Sequence, residues 1–222
     1  MGHKIRLTAE DGFALDAYRA DPAAAPKGGI VVIQEIFGVN NHMRGVAESF
    51  AANGYAAIAP ALFDRAQRGV ELGYTEGDIE IGRGLRAKVG WDDPLKDIRA
   101  AMKALEGAGK LGTVGYCWGG PVTWLTATRL DGITAAACYY GGQIAAFKDE
   151  KARVPTMFHF GERDKGIPMT DVEAVRKAQP QQILHVYPAG HGFNCEERGD
   201  YDATCKKLAL ERTLAFFAKH VG

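Results

Sequence analysis

The chain has 222 residues, 46% hydrophobic and 24% charged, which is the balance of an ordinary globular domain long enough to bury a sizeable core. Lysine plus arginine and aspartate plus glutamate number 27 each, so the net charge is zero and no basic stripe points to nucleic acid or an anionic membrane surface. No apolar run reaches spanning length and the first residues lack a signal-peptide core, so a cytoplasmic protein with no membrane association is expected. Cys117, Cys138, Cys195 and Cys205 form no CxxC pair and suggest no disulfide framework.

In chain order, Ile30-Val31-Val32-Ile33-Gln34 predicts a short buried strand, followed by a helix over 43–53 that Gly54 closes. Residues 55–59 predict the next strand, stopped by Pro60. Between 61 and 92 glycines and charges are frequent and no period stands out, so an excursion with one or two short helices is expected. Leu95, Ile98, Met102 and Leu105 then recur at helical spacing behind Pro94, a residue suited to a helix start. The apolar run 110–114, a helix after Gly119, and strands near 133–139, 154–160 and 182–187 come next. A last helix is expected over 203–219, with Leu210, Leu214 and Phe217 on one face. Short apolar strands alternating with helices predict an α/β fold over 1–222 as one domain, a mostly parallel twisted sheet with helices on both faces. In open sheets of this kind the site lies beyond the carboxyl ends of the strands.

Gly115-Tyr116-Cys117-Trp118-Gly119-Gly120 follows one of these strands and opens a helix. This is the pattern of the α/β-hydrolase nucleophile elbow, with a thiol in place of the usual hydroxyl. A thiol nucleophile needs a base, and the base an orienting acid, which in this fold follow as nucleophile, acid, histidine on successive strand-end loops. Asp164 lies in the loop after one strand, in Gly161-Glu162-Arg163-Asp164, and His191 in the loop after the next, in Pro188-Ala189-Gly190-His191-Gly192-Phe193. Glu162 is the alternative acid. His159 and His185 fall inside strands and read as core or rim residues, and Cys138 reads as a buried small hydrophobe. The oxyanion hole is expected from the Trp118 N–H, next to the nucleophile, and from the Ile36 N–H in the loop after an early strand. No recognisable ligand spacing adds a fourth group to His191, Cys195 and Cys205, so no metal is expected, and no cofactor.

Gln34-Glu35-Ile36-Phe37-Gly38-Val39-Asn40, Gly115-Tyr116-Cys117-Trp118-Gly119-Gly120 and Pro188-Ala189-Gly190-His191-Gly192-Phe193 together resemble the dienelactone hydrolase family, over nearly the whole chain. The resemblance implies an α/β-hydrolase that opens a small enol-lactone or related ester through an acyl-enzyme on Cys117. It also implies that Glu35 takes the thiol proton when substrate binds, which would protect a resting thiol from oxidation. The other reading of Glu35 is a structural ion pair with a nearby arginine. The family's substrate carboxylate is held by arginines, one of them shortly after the catalytic histidine. Here Cys195 stands four residues after His191, and Arg198 three residues later still. Arg83 and Arg86 are the candidates for the other arginine. Competing readings are a broad carboxylesterase or thioesterase with the same machinery, a non-catalytic binding protein, and a redox sensor with Cys195 as the resolving thiol. The expected partner is a small ester or lactone, and the expected state a monomer.

Overall fold

Every residue of the strand Gly29–Ile33 is buried, because both faces of the sheet it joins are covered. The computed structural model describes residues 2–222. Its strands in chain order are β1 (His3–Thr8), β2 (Ala14–Ala20), β3 (Gly29–Ile33), β4 (Ala56–Pro60), β5 (Leu111–Tyr116), β6 (Ala135–Tyr139), β7 (Thr156–Gly161) and β8 (Ile183–Tyr187). They form one eight-stranded sheet in the order β1-β2-β4-β3-β5-β6-β7-β8. All pairings from β4 to β8 are parallel, while β1 and β2 add antiparallel. Successive side chains of β3 divide between two cores. Ile30 and Val32 pack with Val46 and Phe50 of α1 (Asn41–Ala52) and Phe217 of α6 (Ala203–His220). Val31 and Ile33 pack with Leu95 and Ile98 of α3 (Asp92–Ala104) on the other face. The predicted α/β-hydrolase architecture is therefore present. Among the described residues no helix is long and apolar enough to cross a membrane.

Four details differ from the sequence reading. The predicted elements begin at Ile30, whereas the structure adds the β1–β2 hairpin before them; Leu7, Leu15 and Ala17 face inward in alternation and Gly12, with φ 81°, makes its turn. Pro60 is the last residue of β4 rather than a stop before it. The excursion over 61–92 holds a helix of 13 residues, α2 (Glu76–Lys88), started by a Thr75–Asp78 capping box. Only Gly82 and Leu85 of α2 are buried, so it lacks the apolar stripe by which helices are read.

The fourth difference is the buried face of α6, which carries Cys205, Ala209, Thr213, Phe216 and Phe217, while Leu210 and Leu214 are half-buried. Thr213 is paid for, as a core hydroxyl, by partners at 2.6 Å on Tyr139 Oη and 3.0 Å on His159 Nε2. Tyr187 Oη lies 2.8 Å from His159 Nδ1. Burial, with His185 and Arg212 nearby, holds the His159 pKa well below its ordinary value. The unfolded chain therefore binds a proton here that the folded chain refuses. Stability should fall, by up to about 1.4 kcal/mol per pH unit, as the pH drops below the unfolded value of about 6.5. Urea melts between about pH 7.5 and 5.5 should show this slope, shallower by up to one proton in His159→Gln.

Candidate active site

Cys117 is the first of the two residues between β5 and α4 (Gly119–Arg129), with its own φ at +54°. That left-handed conformation costs a non-glycine residue about 1 to 3 kcal/mol and aims the thiol out of the sheet edge. The sharp turn is thus made by the cysteine itself. Gly115 serves close packing instead, since a Cβ there would collide with the Gly119 carbonyl as the chain doubles back. The Cys117 N–H donates to the Tyr139 carbonyl of the neighbouring strand at 3.0 Å, which ties the step to β6.

The next two strand ends carry the predicted partners. Asp164 follows β7 and is buried; its Oδ2 is 2.7 Å from His191 Nδ1, and its Oδ1 accepts from the Gly166 N–H at 2.8 Å. Glu162 is exposed and makes no contact with the imidazole, so the acid beside His191 is Asp164. Burial opposes a charge on His191, but the adjacent Cys117 sulfur and the Asp164 carboxylate outweigh it and push the pKa up to about 10.

Glu35 is fully buried just beyond β3. Its Oε1 pairs with Arg198 Nη1 at 3.1 Å and its Oε2 accepts from the Tyr74 hydroxyl at 3.2 Å. Asn40 Nδ2 donates to the same Tyr74 oxygen at 3.1 Å. Of the two readings of Glu35, the ion pair with an arginine is therefore the arrangement in this structure. Arg198 reaches it by passing across Gly192, where φ is +78° and a Cβ would strike the Arg198 side chain. The guanidinium carbon then lies 5.6 Å from the Phe37 ring centre and 5.9 Å from that of Tyr74.

A cleft of about 320 Å³ brings the predicted residues together: Cys117, Trp118, His191, Ile36 and Arg198 line it, as do Arg83 and Arg86. Among the described residues, neither the Ile36 nor the Trp118 N–H has an acceptor within the chain. Ile79, Arg83 and Arg86 of α2 stand at i, i+4 and i+7, one helix face turned to the cleft. Arg86 donates to Gln143 and lies 5.1 Å above the Trp91 ring centre. Arg83 is exposed and makes no hydrogen bond or ion pair among the described residues. Tyr74, Asn40 and Tyr140 belong to the same region and were not predicted as site residues; Asn40 closes the Gln34–Asn40 motif, while no motif or spacing marks Tyr74 or Tyr140. Cys195 does not join His191 or Cys205; it lies with Glu35 and His42.

A model of the dienelactone hydrolase family matches residues 15–221. The carboxymethylenebutenolidase of Pseudomonas putida is 32% identical, covering 96% of this chain and 95% of that protein. The crystal structure of a candidate dienelactone hydrolase of Klebsiella pneumoniae is similar with a TM-score of 0.85 at 30% identity, covering 98% of this chain and all of that one. An esterase of Pyrococcus furiosus shares the fold at a TM-score of 0.70 and 16% identity, covering 100% of this chain and 94% of that one. The chain therefore belongs to the dienelactone hydrolase family and is a hydrolase of ester or lactone bonds.

Proposed function

We propose that the chain opens dienelactones, small enol-lactones that carry a carboxylate, through an acyl-enzyme on Cys117. The observation that carries this reading is an elbow thiol beside a His191–Asp164 pair at 2.7 Å, in a cleft with three arginines. A carboxylate competes well for a guanidinium already shared with another carboxylate. Substrate binding at Arg198, assisted by Arg83 and Arg86, would draw Arg198 from Glu35 and leave a buried, uncompensated carboxylate. Such a group gains strongly from a proton, and Glu35 takes it from the Cys117 thiol. The thiolate attacks the lactone carbonyl, forming a C–S bond while the carbonyl oxygen becomes an oxyanion held by the Ile36 and Trp118 N–H groups. Collapse breaks the ring C–O bond, and His191 protonates the leaving enolate oxygen. His191, oriented by Asp164, then takes a proton from water as the water adds to the thioester, and cleavage of the C–S bond releases the Cys117 thiolate, which recovers its proton from Glu35 as Arg198 returns to that carboxylate.

Hydrolysis of cis- and trans-dienelactone beside p-nitrophenyl acetate tests the substrate. Efficient dienelactone turnover is expected. Arg83→Gln should raise KM for the anionic lactone about tenfold and leave the neutral acetate unchanged, with no loss of stability because Arg83 has no partner to abandon. Good acetate turnover with negligible dienelactone turnover would overturn the assignment.

A further inference from the structure

Behind the catalytic thiol the structure packs a cluster of polar groups of which the hydrolytic chemistry uses only Glu35. Glu35, His42 and Cys195 each place one donor atom within 4.8 Å of the others: a carboxylate oxygen, an imidazole nitrogen and a sulfur. Glu35 and Cys195 are fully buried. The Nε2 atom of His42 is sealed from solvent and has no hydrogen-bond partner among the described residues. So is the Tyr140 hydroxyl, on which the charges of Glu35 and Cys195 both bear. Buried polar atoms of this kind call for a partner, and a bound ion is one that supplies it. A second cleft of about 300 Å³, separate from the catalytic one, reaches His42 and is edged by Asn41, Asn194, Glu196, Glu197 and Lys206. Lys206 is paired with Glu196 at 2.7 Å, so Glu197 is the carboxylate left to attract a cation there.

From this cluster we infer a binding site for a borderline-soft divalent cation of the zinc type, formed by Glu35, His42 and Cys195 and entered from the second cleft. Oxygen, nitrogen and sulfur together are the donor set zinc prefers, and three protein ligands leave a fourth position for water. Ligand bonds of about 2.0 to 2.3 Å place tetrahedral donors about 3.3 to 3.8 Å apart, so the cluster need close by no more than about 1.5 Å. A thiolate and a neutral imidazole are the ligating forms, so the ion displaces the Cys195 thiol proton to solvent and binds more tightly as the pH rises. Glu35 exchanges Arg198 for the ion. On the reading of Glu35 proposed above, the ion therefore inhibits hydrolysis, although its binding does not depend on that reading.

Cobalt titration of Cys117→Ala tests the site apart from catalysis, because this variant lacks the catalytic thiol that would otherwise compete for metal. One equivalent of Co²⁺ is expected, with a thiolate-to-cobalt charge-transfer band in the near ultraviolet, and Zn²⁺ should bleach the band by displacement. Cys117→Ala/Cys195→Ser should lose the band. Cys117→Ala/His42→Gln, which keeps the sulfur, should bind at least about tenfold more weakly. The proposal is overturned if Cys117→Ala binds no cobalt while the unaltered protein does, since the metal then sits on the catalytic thiol. It is equally overturned if the band survives Cys195→Ser or the affinity ignores His42→Gln.

Discussion

Cys117→Ala should lower kcat/KM for any ester or lactone by about four to six orders of magnitude, because removal of the nucleophile removes the whole acyl-transfer sequence. Its stability should change by no more than about 1 kcal/mol, since the side chain is only partly buried and packs at the edge of one core. A second readout belongs to the same variant. The His191 pKa of about 10 is sustained by the Cys117 sulfur as well as by Asp164. Removing the sulfur should therefore move the imidazole titration downward, which NMR of the ring protons would follow. Retained activity, or an unmoved His191 titration, would mean that the thiol and the imidazole do not act as a pair.

For His191→Gln a loss of about 10⁴ in kcat is expected, because both the departing enolate and the attacking water lose their proton carrier. Asp164→Asn should cost nearly as much, through the wrong tautomer and a freed ring, since its Oδ2 holds His191 Nδ1 at 2.7 Å. Glu162→Gln should stay within about twofold, as an exposed carboxylate remote from the ring has little to contribute. Saturating steady-state kinetics on the three variants decides the matter. If Glu162→Gln is as damaging as Asp164→Asn, the acid has been assigned to the wrong residue.

The parallel part of the sheet and the strand-end positions of Cys117, Asp164 and His191 were legible because each depends on local signals: a continuous β-branched run, a glycine-flanked step, a strand followed by a loop. The hairpin Ile5–Leu7 and Leu15–Ala17 offered a weaker form of the same signal, with Asp11-Gly12 as its turn, masked by outward-facing charges such as Arg6 and Asp16. Helix α2 was hidden for a different reason. Only Gly82 and Leu85 reach the core, and the face that carries Ile79, Arg83 and Arg86 lines the cleft, so arginines stand where apolar residues would announce a helix. The Thr75-x-x-Asp78 cap was the one available cue. Contacts such as Tyr74 on Glu35, or Cys195 beside His42, join segments separated by dozens of residues and leave no trace in spacing.

Because Ile79, Arg83 and Arg86 contribute no strand, no triad member and almost nothing to either core, α2 behaves as an interchangeable wall of the reaction chamber. On the proposed reading, three codons in one helix tune, around the Arg198 anchor, what charge and shape of ester is admitted, while Cys117, His191 and Asp164 stay as they are. Libraries randomised at these three positions should therefore yield new substrate ranges at little risk to folding, a separation of chemistry from selection that a lineage of enzymes can exploit as readily as an engineer.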